Sequence, residues 1–233
     1  MKDRKTFLFS ALCCFVYFSS YMTRHNYRAA VAEIVWSLGV TKAMASMAVT
    51  GSFLTYGIGQ IFNGFIGDRI KPKTMIFLGL CATTLCNVVM SKLSSVYIMT
   101  AVWCINGFAQ SMLWPPLTRI MSENLSADRY RKTVTAVITA SSLATISIYF
   151  IVPLCITLSG WRAVFLLSAA FGLTAGIIWL ISIDRLTESN KEPGEKEKEK
   201  TATPVVSFKS LIFGSGLIYV IIILMAHGIL RDG

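Results

Sequence analysis

The chain has 233 residues, 54% of them hydrophobic and only 15% charged. That balance suits an outer surface that faces lipid, so the chain is expected to be an all-α integral membrane protein. A formal charge of +10 would favour nucleic acid as the partner of a soluble protein. Here the lysines and arginines fall in short connectors between apolar runs, where they set orientation, and nucleic-acid binding is set aside.

Six apolar windows of membrane-crossing length are expected near residues 6–37, 43–66, 74–91, 96–121, 133–158 and 162–183, and a seventh begins near Leu211. The first stays helix-compatible from Phe7 to about Leu38 without Gly or Pro. It would be roughly 45 Å long, enough to cross ~30 Å of hydrocarbon with tilt. Inside it lies Tyr21-Met22-Thr23-Arg24-His25-Asn26-Tyr27-Arg28. An arginine held in a membrane costs several kcal/mol and marks a functional site by default, so Arg24 is the first candidate. Tyr17, Tyr21, Arg24 and Arg28 recur at i, i+4, i+7 and i+11, one stripe of one helix. His25 and Arg28 read equally well as residues of the outer interface.

The connectors on one side carry Lys2, Arg4 and Lys5, then Arg69, Lys71 and Lys73, then Arg129, Arg131 and Lys132, then Arg185. The opposite side has Lys42, Lys92 and Arg162. This asymmetry places the N-terminus in the cytoplasm of a multi-pass protein of the plasma or inner membrane. The basic start is followed by an apolar run too long for a cleavable signal peptide. Residues 1–185 are expected to form a six-span bundle, 186–208 a charged cytoplasmic linker rich in Glu and Lys, and 209–233 the start of a further bundle. The six cysteines lie inside apolar runs as small buried hydrophobes, without the spacing of a disulfide framework or a zinc site. No cofactor or metal is expected. With two histidines and neither an HExxH-like nor a GxSxG-like stretch, the chain does not read as an enzyme.

After the second span comes Gly64-Phe65-Ile66-Gly67-Asp68-Arg69. This Gly-x-x-x-Asp-Arg pattern resembles the cytoplasmic signature of the major facilitator superfamily. Gly64 is expected to permit close helix approach while Asp68 and Arg69 latch neighbouring helix ends. In the fourth span Asn106, Gln110 and Trp114 recur at i, i+4 and i+8. They are expected to turn one face toward a cavity, the alternative being hydrogen bonds between helices. Pro115 and Pro116 remove two backbone donors and are expected to break or kink this helix.

The stretch Gln-x-x-x-Trp-Pro-Pro-x-x-Arg, ending at Arg119, together with Tyr-x-x-Arg-x-Asn-aromatic at Tyr21–Tyr27, resembles the organophosphate:phosphate antiporter family. The resemblance runs from Tyr17 to the linker. It implies a secondary active transporter for an organic anion, such as glycerol phosphate or a sugar phosphate, working by alternating access with phosphate exchange or ion coupling. The family's transporter-like membrane sensor is the alternative. The fold implied is the six-helix N-terminal bundle of a major facilitator transporter plus a truncated seventh helix, with the C-terminal half as the missing partner. By the same resemblance Arg24 grips phosphate, and Tyr17, Tyr21, Tyr56, Gln110 and Trp114 line the cavity. Three positions depart from the pattern: the partner arginine of span seven falls at Ala226 beside His227, the lysine of span two at Gln60, and the histidine of span five near Ser141 and Ser142. His227 is therefore the candidate from span seven, where a neutral imidazole can bind an anion or relay protons.

Overall fold

The computed structural model describes residues 2–67 and 69–187. They form seven helices: α1 (Lys2–Leu38), α2 (Lys42–Gly67), α3 (Pro72–Met90), α4 (Val96–Gln110), α5 (Trp114–Asn124), α6 (Ala127–Ser159) and α7 (Trp161–Thr187). The chain divides into a compact unit over Met1–Lys191 and a second over Glu192–Gly233. The second unit, with the linker from Glu188 onward and His227, lies outside the described residues, as does Asp68.

Helices α4 and α5 together make the fourth span, so six traverses are built from seven helices. Pro115 and Pro116 have no N–H to donate to the carbonyls of Ser111 and Met112, and the α-helical ladder stops there. The chain crosses the gap by tightening: Met112 N–H bonds the Ala109 carbonyl at 3.1 Å and Leu113 N–H the Gln110 carbonyl at 3.3 Å, both i→i−3 bonds. Helix α5 then restarts with proline in its first turn, where no donor is needed. Two other ends rely on glycine. Gly39 (φ 63°) follows the end of α1 and Gly160 (φ 80°) caps α6. A left-handed residue without Cβ reverses the chain there at little cost.

Among the described residues five segments are long and apolar enough to cross a membrane: Asp3–Leu38, Pro72–Met90, Val96–Asn124, Ala127–Ser159 and Trp161–Thr187. Helix α2, at 26 residues, is of similar length but carries Thr50, Ser52, Thr55, Gln60, Asn63 and several glycines. Ser52, Thr55, Asn63, Gly51 and Gly59 serve its packing on α4 and the turn that follows it. A Cβ on Gly107 would stand 2.2 Å from the Ser52 carbonyl oxygen, one on Gly59 2.3 Å from Ser111 Oγ, and one on Gly51 2.6 Å from Cys104 Sγ. Such close backbones let Thr55 Oγ1 donate to the Cys104 carbonyl at 2.7 Å and Asn63 Nδ2 to Ser111 Oγ at 2.6 Å. Between helices in lipid, dispersion and hydrogen bonds of this kind stand in for the hydrophobic effect. Gly64 does not share in this. It is exposed, and a Cβ there would meet nothing within 4 Å. Among the described residues the close approaches of α2 therefore lie one to four turns earlier than its signature glycine.

Elsewhere α1 packs on α6 and α7, and α3 on α7 and α4. Two apolar cores result. One gathers Phe9, Val16, Leu80, Leu117, Val137 and Trp179; the other gathers Met22, Tyr27, Met99, Trp103, Ile148 and Phe165. A layer of buried polar side chains lies between them. Ion pairs collect at the end where α1 begins: Arg129 to Asp3 at 2.6 Å, Lys132 to Asp128 at 2.8 Å, and Lys73 to Asp184. At the opposite end Arg162 donates to Ser94 Oγ at 2.9 Å and lies over the Trp161 ring. Of the cysteines, Cys13 and Cys86 are buried as expected; Cys81 is exposed and Cys14, Cys104 and Cys155 are half-buried, so the remaining four differ from the expectation. All six are free thiols.

Candidate functional site

At 100° per residue, Tyr17, Tyr21, Arg24 and Arg28 fall within about 60° of one another on α1, and the structure keeps them together on one half-buried stripe. Rings stack along it. Trp114 of α5 meets Tyr17 at 4.8 Å between centroids, Tyr17 meets Tyr21 at 5.1 Å, and Tyr21 meets His25 at 5.1 Å. Arg24 leaves this ladder sideways toward α2. Its guanidinium carbon lies 4.1 Å from the Tyr56 centroid and 5.7 Å from that of Phe53. Both distances are within the range where a ring quadrupole attracts a cation. Tyr17 is also within electrostatic reach of Arg24 and Tyr56. Five of the expected residues, Tyr17, Tyr21, Arg24, Tyr56 and Trp114, are thus neighbours, drawn from α1, α2 and α5.

Among the described residues Arg24 has neither an ion pair nor a hydrogen bond. Among the described residues its charge faces the rings of Tyr56 and Phe53. Attraction to a ring face uses no hydrogen-bond acceptor and leaves the guanidinium N–H fork, which matches a carboxylate or phosphate. A narrow cleft of about 10 Å³ brings Arg24, His25 and Arg28 to Ser52 and Phe53 of α2 and Trp103 of α4. That is room for about one water, so within this unit the cations converge without enclosing a ligand.

Gln110 stands apart from the other candidates. It was expected to face a cavity, but its side chain is 3% exposed and lies in the layer between the two cores. Its Nε2 shares two hydrogens among three acceptors, the Ser20 carbonyl (3.1 Å), Thr23 Oγ1 (3.0 Å) and Thr83 Oγ1 (2.9 Å), while Oε1 accepts from Ser20 Oγ at 2.9 Å. Asn106 is 1% exposed; it accepts from Thr83 Oγ1 and donates to the Thr23 carbonyl at 3.4 Å. Asn26 Nδ2 donates to Asn87 Oδ1 at 2.6 Å, and Asn87 Nδ2 to the Thr23 carbonyl at 3.1 Å. The alternative of hydrogen bonding between helices is the one realised for both residues. Groups on α1 and α3 occupy the donors of the Gln110 amide, which has none left for a ligand, while Asn106 Nδ2 spends one N–H on the Thr23 carbonyl.

Of the signature after α2, Asp68 lies outside the described residues. Arg69 is exposed, its N–H bonding the Ile66 carbonyl at 2.9 Å. The side chain that reaches this helix end is Arg119 of α5, whose Nη1 donates to the Gly67 carbonyl at 3.1 Å while Nε bonds Glu123 at 2.8 Å. A cation there satisfies a terminal carbonyl and complements the negative end of the helix dipole. Sequence reasoning placed Arg119 in a motif but gave it no partner. It also passed over Phe53 and the seam residues Ser20, Thr23, Thr83 and Asn87. The i, i+4 spacing of Thr83 and Asn87 in an apolar span was a readable signal for the seam.

A helical bundle with five described segments long and apolar enough to cross a membrane defines a polytopic membrane protein. The chain belongs to the Major Facilitator Superfamily, whose family model matches residues 13–230. It is 25% identical, over 84% of its length, to a probable hexose phosphate transport protein of Chlamydia trachomatis, covering 42% of that protein. It is 24% identical, over 67% of its length, to the membrane sensor protein UhpC of Escherichia coli, covering 36% of it. These relatives fit the organophosphate:phosphate antiporter family. A crystal structure of the peptide transporter POT in complex with sulfate shares the fold, with a TM-score of 0.68 at 16% identity over 96% of this chain and 46% of that one. The chain thus spans about two fifths of the length of the curated relatives it matches. Superfamily membership also accords with a non-enzymatic protein.

Proposed function

We propose that residues 1–185 are the N-terminal bundle of a secondary transporter for a small phosphorylated anion, with Arg24 as the side chain that holds the phosphate. The observation that carries this reading is an arginine inside a membrane span, set over Tyr56 and without an anionic partner among the described residues. Such a charge is costly in lipid unless a ligand or an aqueous cavity receives it. Tyr17, Tyr21, Tyr56 and Trp114 form the aromatic wall beside it. Support for the substrate class comes from the relative named as a hexose phosphate transport protein. The exposed apolar faces of α2 (Leu54, Ile58, Ile61, Phe65) and α6 (Phe150, Leu154, Leu158) suit lipid or a second bundle. Transport then proceeds by alternating access around a midplane site, driven by phosphate exchange or an ion gradient. The charge asymmetry of the connectors sets the N-terminus in the cytoplasm.

The test is uptake of labelled phosphate, glycerol phosphate and hexose phosphate into proteoliposomes holding this bundle together with its C-terminal half. Arg24→Ala is expected to abolish uptake with unchanged membrane abundance, and Arg24→Lys to recover only a fraction, because a point charge lacks the bidentate fork. Uptake near the wild-type level in Arg24→Ala removes Arg24 from the site. A second reading, a sensor that binds the same ligand without moving it, rests on the relative named UhpC. Ligand binding without flux, lost in Arg24→Ala, selects it.

A further inference from the structure

Away from the aromatic stripe, the start of α1 and the end of α7 enclose a groove of about 430 Å³. Leu8, Leu12 and Phe15 line it from α1, and Ile178, Ser182 and Arg185 from α7. Its walls are apolar over about 10 Å of helix, from Leu8 to Phe15, and among the described residues Arg185 is its one charged lining residue. Exposed Phe7 (71%) and Ile181 (58%) flank it, so it opens toward the hydrocarbon rather than toward the stripe that carries Arg24. Arg185 is in the last turn of α7, at the same end of the bundle as the ion pairs. Its neighbour Asp184 is engaged by Lys73, and Arg185 is in no ion pair among the described residues. Arg4, exposed and one turn before Leu8 on the same face of α1, adds a second cation at the mouth.

From this arrangement we infer that the groove is a binding site for one anionic phospholipid. The acyl chain lies between α1 and α7 along Leu12, Phe15 and Ile178, and the headgroup phosphate sits at Arg185 with Ser182 as a hydroxyl donor. An apolar trough that ends in an arginine at the headgroup level matches both halves of such a lipid. A zwitterionic headgroup carries a cation that an arginine rim does not favour, so the site selects by charge. A free soluble anion would meet Arg185 but gain nothing from the trough.

The experiment uses the purified full chain in detergent, supplied with equimolar phosphatidylglycerol and phosphatidylcholine of identical acyl chains, and quantifies the lipid that stays bound by mass spectrometry. Wild type is expected to retain about one phosphatidylglycerol with roughly fivefold preference over phosphatidylcholine. Arg185→Gln should remove the preference. Ala11→Trp, which fills the trough from an exposed position on α1, should cut phosphatidylglycerol retention about fivefold with Arg185 intact. Unchanged helicity and elution volume confirm that both variants are folded. Equal retention of the two lipids, no retention by wild type, or wild-type behaviour in either variant overturns the assignment. So does displacement of the lipid by millimolar glycerol phosphate, which would place its phosphate in a soluble-anion site. Arg24→Ala is expected to leave lipid retention unchanged, and a loss there instead of in Arg185→Gln would also overturn it.

Discussion

Gly107 is where the packing of this bundle is most exposed to a single-atom test. A Cβ at this position would lie 2.2 Å from the carbonyl oxygen of Ser52 and 2.6 Å from Thr55 Oγ1, whereas ordinary contacts begin near 3.4 Å. The obstacle is backbone, so no rotamer change relieves it. Helices α2 and α4 must separate by about 1 Å, an overpacking that costs roughly 1–3 kcal/mol. The separation also weakens the bond from Thr55 Oγ1 to the Cys104 carbonyl, now 2.7 Å, by about 0.6 kcal/mol on the scale of bonds between membrane helices. Alanine returns up to ~1 kcal/mol of helix propensity over glycine. The net expectation for Gly107→Ala is a destabilisation of about 2 kcal/mol, near thirtyfold in the unfolding equilibrium. Gly64→Ala is the control, because a Cβ there meets nothing; it should leave stability unchanged or raise it by less than ~1 kcal/mol. Both can be read by unfolding in mixed micelles of rising SDS fraction, followed by tryptophan fluorescence. Trp103, one turn before Gly107 and packed at 5.3 Å on Tyr27, reports the separation of α4. If Gly107→Ala unfolds at or above the wild-type midpoint, the close α2–α4 interface is wrong.

Two further changes separate the buried seam from the helix-end contacts. Gln110→Leu removes four hydrogen bonds and leaves Ser20, Thr23 and Thr83 to find other partners; a loss of roughly 1–3 kcal/mol is expected in the same unfolding assay, and an unchanged midpoint would show that the seam contributes nothing. Arg119→Ala frees the Gly67 carbonyl. Because Arg119 is about half exposed, the global cost should stay under ~1 kcal/mol, while amide exchange at the end of α2 accelerates. Unaltered exchange there would mean that Arg119 does not hold α2.

Much of this architecture was legible because a bilayer leaves few options. Runs of some twenty apolar residues without charge must be helices, and charged connectors mark where each span ends, so the expected 43–66 became Lys42–Gly67 and 162–183 became Trp161–Thr187. Pro115 and Pro116 announced the break between α4 and α5 by chemistry alone. The partners of polar side chains were not legible in the same way. Periodicity placed Asn106, Gln110 and Trp114 on one face, but a face can meet either a cavity or a neighbouring helix, and the choice depends on what α1 and α3 bring to it. Likewise a glycine in sequence says that a backbone is bare, not that another backbone comes near. Gly64 and Gly107 look alike in the chain and differ entirely in surroundings.

Helix α1 joins these two outcomes. On one side it turns Ser20, Thr23 and Asn26 into the buried seam, where each polar group is matched by α3 or α4. On the other it turns Tyr17, Tyr21, Arg24 and Arg28 outward on a stripe where Arg24 lies over the Tyr56 ring. The first face fixes the rotation of α1 within the bundle, since a slip of one residue, about 100°, would strand several amides and hydroxyls in apolar surroundings. Fixing that rotation holds Arg24 over Tyr56. Gln110, the one seam residue that sequence reading assigned to the ligand, thus acts one step removed, as part of the structure that aims the arginine.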